Sequence, residues 1–170
     1  MIDTNSTEFE SRGWQVHTWP YADQEVTVLQ REPFRLTWGA TQLVTFVYVI
    51  HRVPENYQSV LDDYSALRDF ASKHKRTLLP FSIQCGYALL PIYVGESFSE
   101  SLCADIRTIY KKRWCVLHAP ALLETSTGCL HKCEAESYWG CIYRDYINSV
   151  LAETALVLNT GSQSYVDGRN

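Results

Sequence analysis

The stretch "LVTFVYVI", residues 43–50, is apolar on both of its alternating sets. Successive side chains of an extended chain point to opposite sides, so Val44, Phe46, Tyr48 and Ile50 share one face and Leu43, Val47 and Val49 the other. A strand of this kind belongs in the middle of a sheet covered on both faces, because one wet face would leave half of these side chains in water. Gly39 marks a bend or bulge just before it.

Upstream, "WQVHTW" (14–19) and "EVTVLQ" (25–30) both alternate and are separated by the turn-like "PYADQ", which predicts a β-hairpin. Downstream, the period changes from 2 to 3.6. Pro54 suits a first helical position, and Tyr57, Leu61, Tyr64, Leu67 and Ala71 form a stripe, with Asp62, Asp63, Arg68 and Asp69 on the other side. This predicts an amphipathic helix to about Lys75, with the adjacent carboxylates Asp62 and Asp63 on its solvated face.

"LLPFSI" (78–83) and "YALLPIYV" (87–94) follow, and are expected to pair as a hairpin turning at Cys85 and Gly86. Pro80 and Pro91 place one or both at an edge or bulge, or make them one long bent strand, since proline cannot donate to the ladder. Ser97 and Glu100 have capping-box spacing ahead of a helix carrying Phe98, Leu102, Ile106, Ile109 and Tyr110. "CVLHAPALLE" (115–124) reads as a buried strand interrupted by Pro120, and Ile142, Tyr146, Val150, Leu151, Ala155 and Leu158 support a last helix.

Hairpins mixed with single helical crossovers predict the α+β class: one domain over 13–159, with an antiparallel or mixed sheet of five to seven strands and two to three amphipathic helices. A length of 170 residues suits one core. The polar segments 1–12 and 160–170 are expected to be flexible tails.

A net charge of -4 offers no general attraction for nucleic acid or an anionic membrane, so neither is an expected partner. The run at 43–50 is far shorter than the roughly 20 apolar residues of a spanning helix, and the N-terminus lacks a basic stretch followed by an apolar one. A cytoplasmic location is the expectation, and there thiols stay reduced.

The chain has six cysteines, three of them within "TGCLHKCEAESYWGC" (127–141). Cys115, His118, Cys129, His131, Cys133 and Cys141 are the candidate metal ligands, and their softness would favour zinc. The C-x-H-x-C spacing is not an established zinc pattern. In a strand Cys129 and Cys133 would lie about 13 Å apart, and in a helix His131 would point away from both, so a three-ligand site requires a loop. Cys85, beside Gly86 in an expected turn, is the candidate nucleophile, with His17, His51 or His118 as its base.

Two basic clusters, Lys73, Lys75 and Arg76, and Lys111, Lys112 and Arg113, end the first two helices, where they complement the helix dipole. If both helices run the same way on one face, the clusters meet as an anion or partner patch. Aromatic residues make up 13% of the chain, including Trp14, Trp19, Trp38, Trp114 and Trp139. Each buried indole requires a partner, and tyrosine and tryptophan are enriched at interfaces. With no catalytic motif in view, the expected function is a non-catalytic binding or regulatory module acting through an aromatic-rich surface, as a homo-oligomer or with another protein, and without a cofactor. The alternatives are a zinc-type sensor or small enzyme at 115–141, and a cysteine-nucleophile enzyme at Cys85.

Overall fold

The computed structural model describes residues 4–35, 41–75, 85–108, 111–113, 116–134 and 141–167. Helix α1 (Thr4–Ser11) leads into the hairpin β1 (Gln15–Tyr21) and β2 (Gln24–Arg31), then the short β3 (Phe34–Arg35) and the long β4 (Thr41–Ile50). Helices α2 (Tyr57–Asp62) and α3 (Tyr64–His74) cross to β5 (Cys85–Gly95), and α4 (Glu100–Thr108) leads to β6 (Lys111–Arg113) and β7 (Val116–His118). β8 (Ala121–Glu124), β9 (Leu130–Lys132) and α5 (Cys141–Asp167) complete the order.

The sheet is mixed, in the order β1-β2-β4-β5-β7-β6, with β3 beside β4 and with β8 joining β5 to β9. β1, β2 and β4 form an antiparallel meander. β5 lies parallel to β4 and is itself parallel to β7 and β8. This α+β domain has one sheet between two helical layers. Val44, Phe46, Tyr48 and Ile50 pack with residues of α2, α3 and α4, while Leu43 and Val47 pack with α1 and α5. The two-sided reading of β4 therefore describes the centre of the fold. Hydrogen bonds fasten both faces: Tyr48 Oη donates to the Leu67 carbonyl at 2.7 Å, and Tyr146 Oη to Thr45 Oγ1 at 3.0 Å.

The predicted hairpin at 14–30 is present, with Gln15 opposite Gln30 and Tyr21 opposite Gln24. Its turn residues Ala22 and Asp23 have φ of 48° and 60°, the left-handed conformation that a two-residue primed turn demands at both positions. Alanine is poorly suited to that region, where Cβ meets the following carbonyl. Replacing the pair by Asn-Gly is expected to raise unfolding stability by about 1 kcal/mol, read from the midpoint of a denaturant titration.

Several expectations are corrected. Cys85 and Gly86 do not form a turn: they open β5, opposite Gln42 and Leu43 of β4, and "LLPFSI" lies outside the described residues. A parallel neighbour reached by a helical crossover leaves no place for a hairpin turn there. The first helix is two, capped by Asn56, whose side chain accepts from Ser59 N at 3.0 Å, rather than begun at Pro54. Ser99 rather than Ser97 caps α4, accepting from Leu102 N at 3.3 Å. Residues 4–11 of the expected N-terminal tail are α1, with Phe9 buried against α5 and the sheet. α5 continues to Asp167, beyond the expected domain end at 159.

Pro91 sits inside β5, which has neighbours on both sides, and the register explains how. β5 pairs with β7 and β8 at one offset, 118−89 = 29 and 121−92 = 29, so Pro120 is the residue opposite Pro91. Leu89 accepts from Ala119 N at 3.0 Å, so residue 91, two places on, also turns its nitrogen toward that neighbour. Pro91 has no N–H to offer there, and its nitrogen falls at the interruption of the ladder between β7 and β8, where Pro120, one place on from Ala119, faces away from β5.

Candidate functional site

Asp63 occupies the break between α2 and α3 and is 4% exposed. Its Oδ1 accepts from Tyr21 Oη at 2.7 Å. Its Oδ2 accepts from Tyr93 Oη at 2.5 Å and from Arg52 Nη2, which also forms an ion pair with it. The donors come from the end of β1, the segment after β4 and the end of β5. These three strands run in one direction, so the four side chains meet at the carboxyl edge of the sheet.

Three donors occupy most of the roughly four lone-pair positions of the carboxylate, and the Arg52 charge balances it. The group is thus a clamp joining hairpin, crossover and central strands. Burial pushes the Tyr21 phenol up to about 12, with the hydrogen bond to Asp63 and the charge of that carboxylate adding to the effect. Burial first and Asp63 second push Tyr93 further in the same direction. The expectation that Asp63 sits on a solvated face is therefore wrong, although Asp62 is exposed. The buried positions of this crossover are Tyr57, Val60, Tyr64, Leu67, Phe70 and Ala71. Asp63 lies three residues after Val60 and four before Leu67, which is the signal that the stripe through Leu61 concealed.

Beside the clamp lies an aromatic cluster on the same face. Trp19 stacks on Tyr21 at 4.5 Å between centroids and packs against Phe70 at 4.9 Å and Tyr48 at 6.0 Å. Phe70 in turn stacks on His74 at 3.9 Å. Buried Gln30 ties this cluster to α3: its Oε1 accepts from His17 Nε2 at 3.0 Å, and its Nε2 donates to the His74 carbonyl at 3.0 Å and to Glu32 Oε1 at 2.9 Å. Trp19 and Tyr21 are half-buried, so the cluster reaches the surface along β1. On the other face Trp14 is buried, donates its indole N–H to Glu153 Oε1 at 3.2 Å and carries the Arg31 guanidinium 4.0 Å above its ring. Trp38, Trp114 and Trp139 lie outside the described residues.

The thiol and imidazole residues are placed as follows. Cys85 is buried at the start of β5, not in an exposed turn. Cys129 is exposed before β9, Cys133 half-buried after it, and His131 Nδ1 lies 2.9 Å from Arg107 Nη2. His118 is buried in β7 beside the Tyr64 ring, at 5.2 Å. His131 pairs instead with Leu122, four residues further along the same strand line, or about 13 Å at the rise of a strand. Cys115 lies outside the described residues, and Cys141 opens α5. Among the described residues no group of three or more His, Cys, Asp or Glu is arranged to hold a metal ion. Burial pushes the thiol of Cys103, in α4, up and away from the reactive thiolate.

Lys73 and Lys75 end α3, at the edge of the sheet opposite the Asp63 clamp, while Arg76 lies outside the described residues. Lys111, Lys112 and Arg113 form β6, an edge strand next to β7 rather than a helix end. No helix among the described residues is long and apolar enough to cross a membrane. Comparisons with protein-family models, curated proteins and solved structures find no match, so the functional reading rests on the residues above.

Proposed function

We propose that this protein is a non-catalytic binding module that assembles with further copies of itself through its aromatic-bearing surface. The observation that carries the reading is the half-buried Trp19–Tyr21 stack, which brings the aromatic cluster to the surface on an outer strand of the sheet. Flat aromatic side chains supply a large contact area at little cost in conformational freedom, which is why interfaces are rich in them. The clamp at Asp63 supports the same reading, because it fixes the Tyr21 ring before any partner arrives. The dominant groups at this end of the sheet satisfy one another, an arrangement suited to holding shape rather than to moving protons.

Light-scattering mass over a dilution series tests the proposal. A mass that is a multiple of the single chain at high concentration and falls on dilution is expected. The mass of a single chain throughout overturns it.

A further inference from the structure

Among the described residues, the strand that carries the aromatic stack also has an open hydrogen-bonding edge. Ala22 and Asp23 form a two-residue primed turn, so the flanking pair Tyr21 and Gln24 is hydrogen-bonded. Bonded and non-bonded pairs alternate along an antiparallel ladder. Gln15, His17, Trp19 and Tyr21 therefore turn their backbone groups toward β2, and Val16, Thr18 and Pro20 turn theirs away from the sheet. Among the described residues β1 pairs with no strand except β2.

Protein edges of this length are ordinarily blunted by charged side chains, prolines or bulges. Residues 15–21 contain no Asp, Glu, Lys or Arg, and Pro20 removes one of the three outward N–H groups. The remaining pattern is self-complementary. When two such strands pair antiparallel about Thr18, the middle of the seven residues, they overlap along their whole length. Each Thr18 N–H then reaches the Thr18 carbonyl of the other copy, and each Val16 N–H reaches the Pro20 carbonyl. Four hydrogen bonds form, and the two Val16 carbonyls opposite the proline nitrogens stay with water. On the aromatic face His17 comes opposite Trp19 of the other copy, a cross-strand pair of the favourable aromatic kind. No like charges oppose one another across the axis.

We infer that the second copy docks edge to edge on β1, with a two-fold axis at Thr18 that joins the two sheets into one. The inference rests on the self-assembly reading above and names its interface. Thr18 is exposed, so substituting it leaves the core intact. Thr18→Lys and Thr18→Glu each place like charges opposite one another at the axis, and each alone is expected to weaken self-association by at least about tenfold, read as single-chain mass at a concentration where the wild type is paired. An equimolar mixture of the two variants is expected to recover the two-chain mass, because opposite charges then meet. Circular dichroism of each variant checks that the fold is kept. If either variant alone retains the wild-type mass, or the mixture stays at single-chain mass, the interface at Thr18 is overturned while self-assembly stands. If the wild type itself is a single chain, both readings fall.

Discussion

Asp63→Ala is expected to destabilise the protein by about 3 kcal/mol, the lower part of the range for breaking a buried ion pair. The lower part applies because the partner left behind is not deeply buried: the Arg52 side chain keeps 33% exposure and recovers water. The larger share of the loss comes from Tyr93, a fully buried side chain whose hydroxyl would lose the carboxylate it donates to. Tyr21→Phe is expected to cost less, about 1 kcal/mol, since its hydroxyl is only partly buried. Denaturant unfolding at neutral pH measures both.

The same pair of variants separates a hydrogen bond from a titration. The Tyr21 phenol ionises at about 12 in the folded protein and at 10.0 as the ordinary value. Folding thus favours its neutral form. The contribution is whole below pH 10, shrinks as the pH rises from about 10 to 12 and is lost above, because the unfolded chain releases its proton first. Tyr93 is pushed in the same direction and continues the loss at higher pH. Tyr21→Phe is therefore expected to be less stable than the wild type at pH 8 yet to decline less steeply above pH 10. An unchanged alkaline slope would mean that burial and Asp63 together do not hold the Tyr21 phenol in its neutral form.

Phe46→Ala is expected to cost about 3 to 5 kcal/mol, the range for removing a buried aromatic ring. Phe46 is wholly buried in β4, with Tyr48, Phe70 and Tyr87 around it, each at 6.3 Å between ring centroids. Val47→Ala, one residue on and facing the opposite layer, is expected to cost about 2 kcal/mol, from two lost methylene equivalents and a small cavity. The two together test the layered architecture. A cost below about 1 kcal/mol at either position would show that the corresponding face of β4 is not covered.

The centre of the fold was legible because hydrophobic period is a local property. Residues 43–50 carry the same message on both alternating sets, and residues 14–30 state a hairpin through pattern and turn chemistry alike. The position of β5 was not legible in this way. A cysteine and a glycine between two apolar runs resemble a turn, whereas the parallel pairing of Cys85 with Gln42 depends on residues 43 positions apart and on a helical crossover. Pro91 is another such case: its nitrogen falls where the ladder is interrupted between β7 and β8, which only the register reveals. N-terminal polarity concealed α1, where one buried ring, Phe9, suffices to dock a short helix.

The candidate site was less legible than the fold. Its centre is an aspartate that an unbroken helix with its stripe through Leu61 places on a solvated face. A carboxylate becomes a buried clamp only when Tyr21, Arg52 and Tyr93, from three separate elements, converge on it. Conversely, the dense cysteines stand out by composition alone. Cys129 and Cys133 flank β9 with one exposed and one half-buried, while His131 faces Arg107, and no metal-holding group forms among the described residues. The requirement that a buried indole finds a partner is met at Trp14, whose N–H donates to Glu153, although the sequence alone singles out neither residue of the pair.

Light scattering on the untagged wild-type chain, from high concentration through successive dilution, bears most directly on what the protein does. The aromatic-bearing outer strand predicts twice the single-chain mass at the concentrated end, falling toward one chain as the pair dissociates. One chain mass at every concentration would contradict the account.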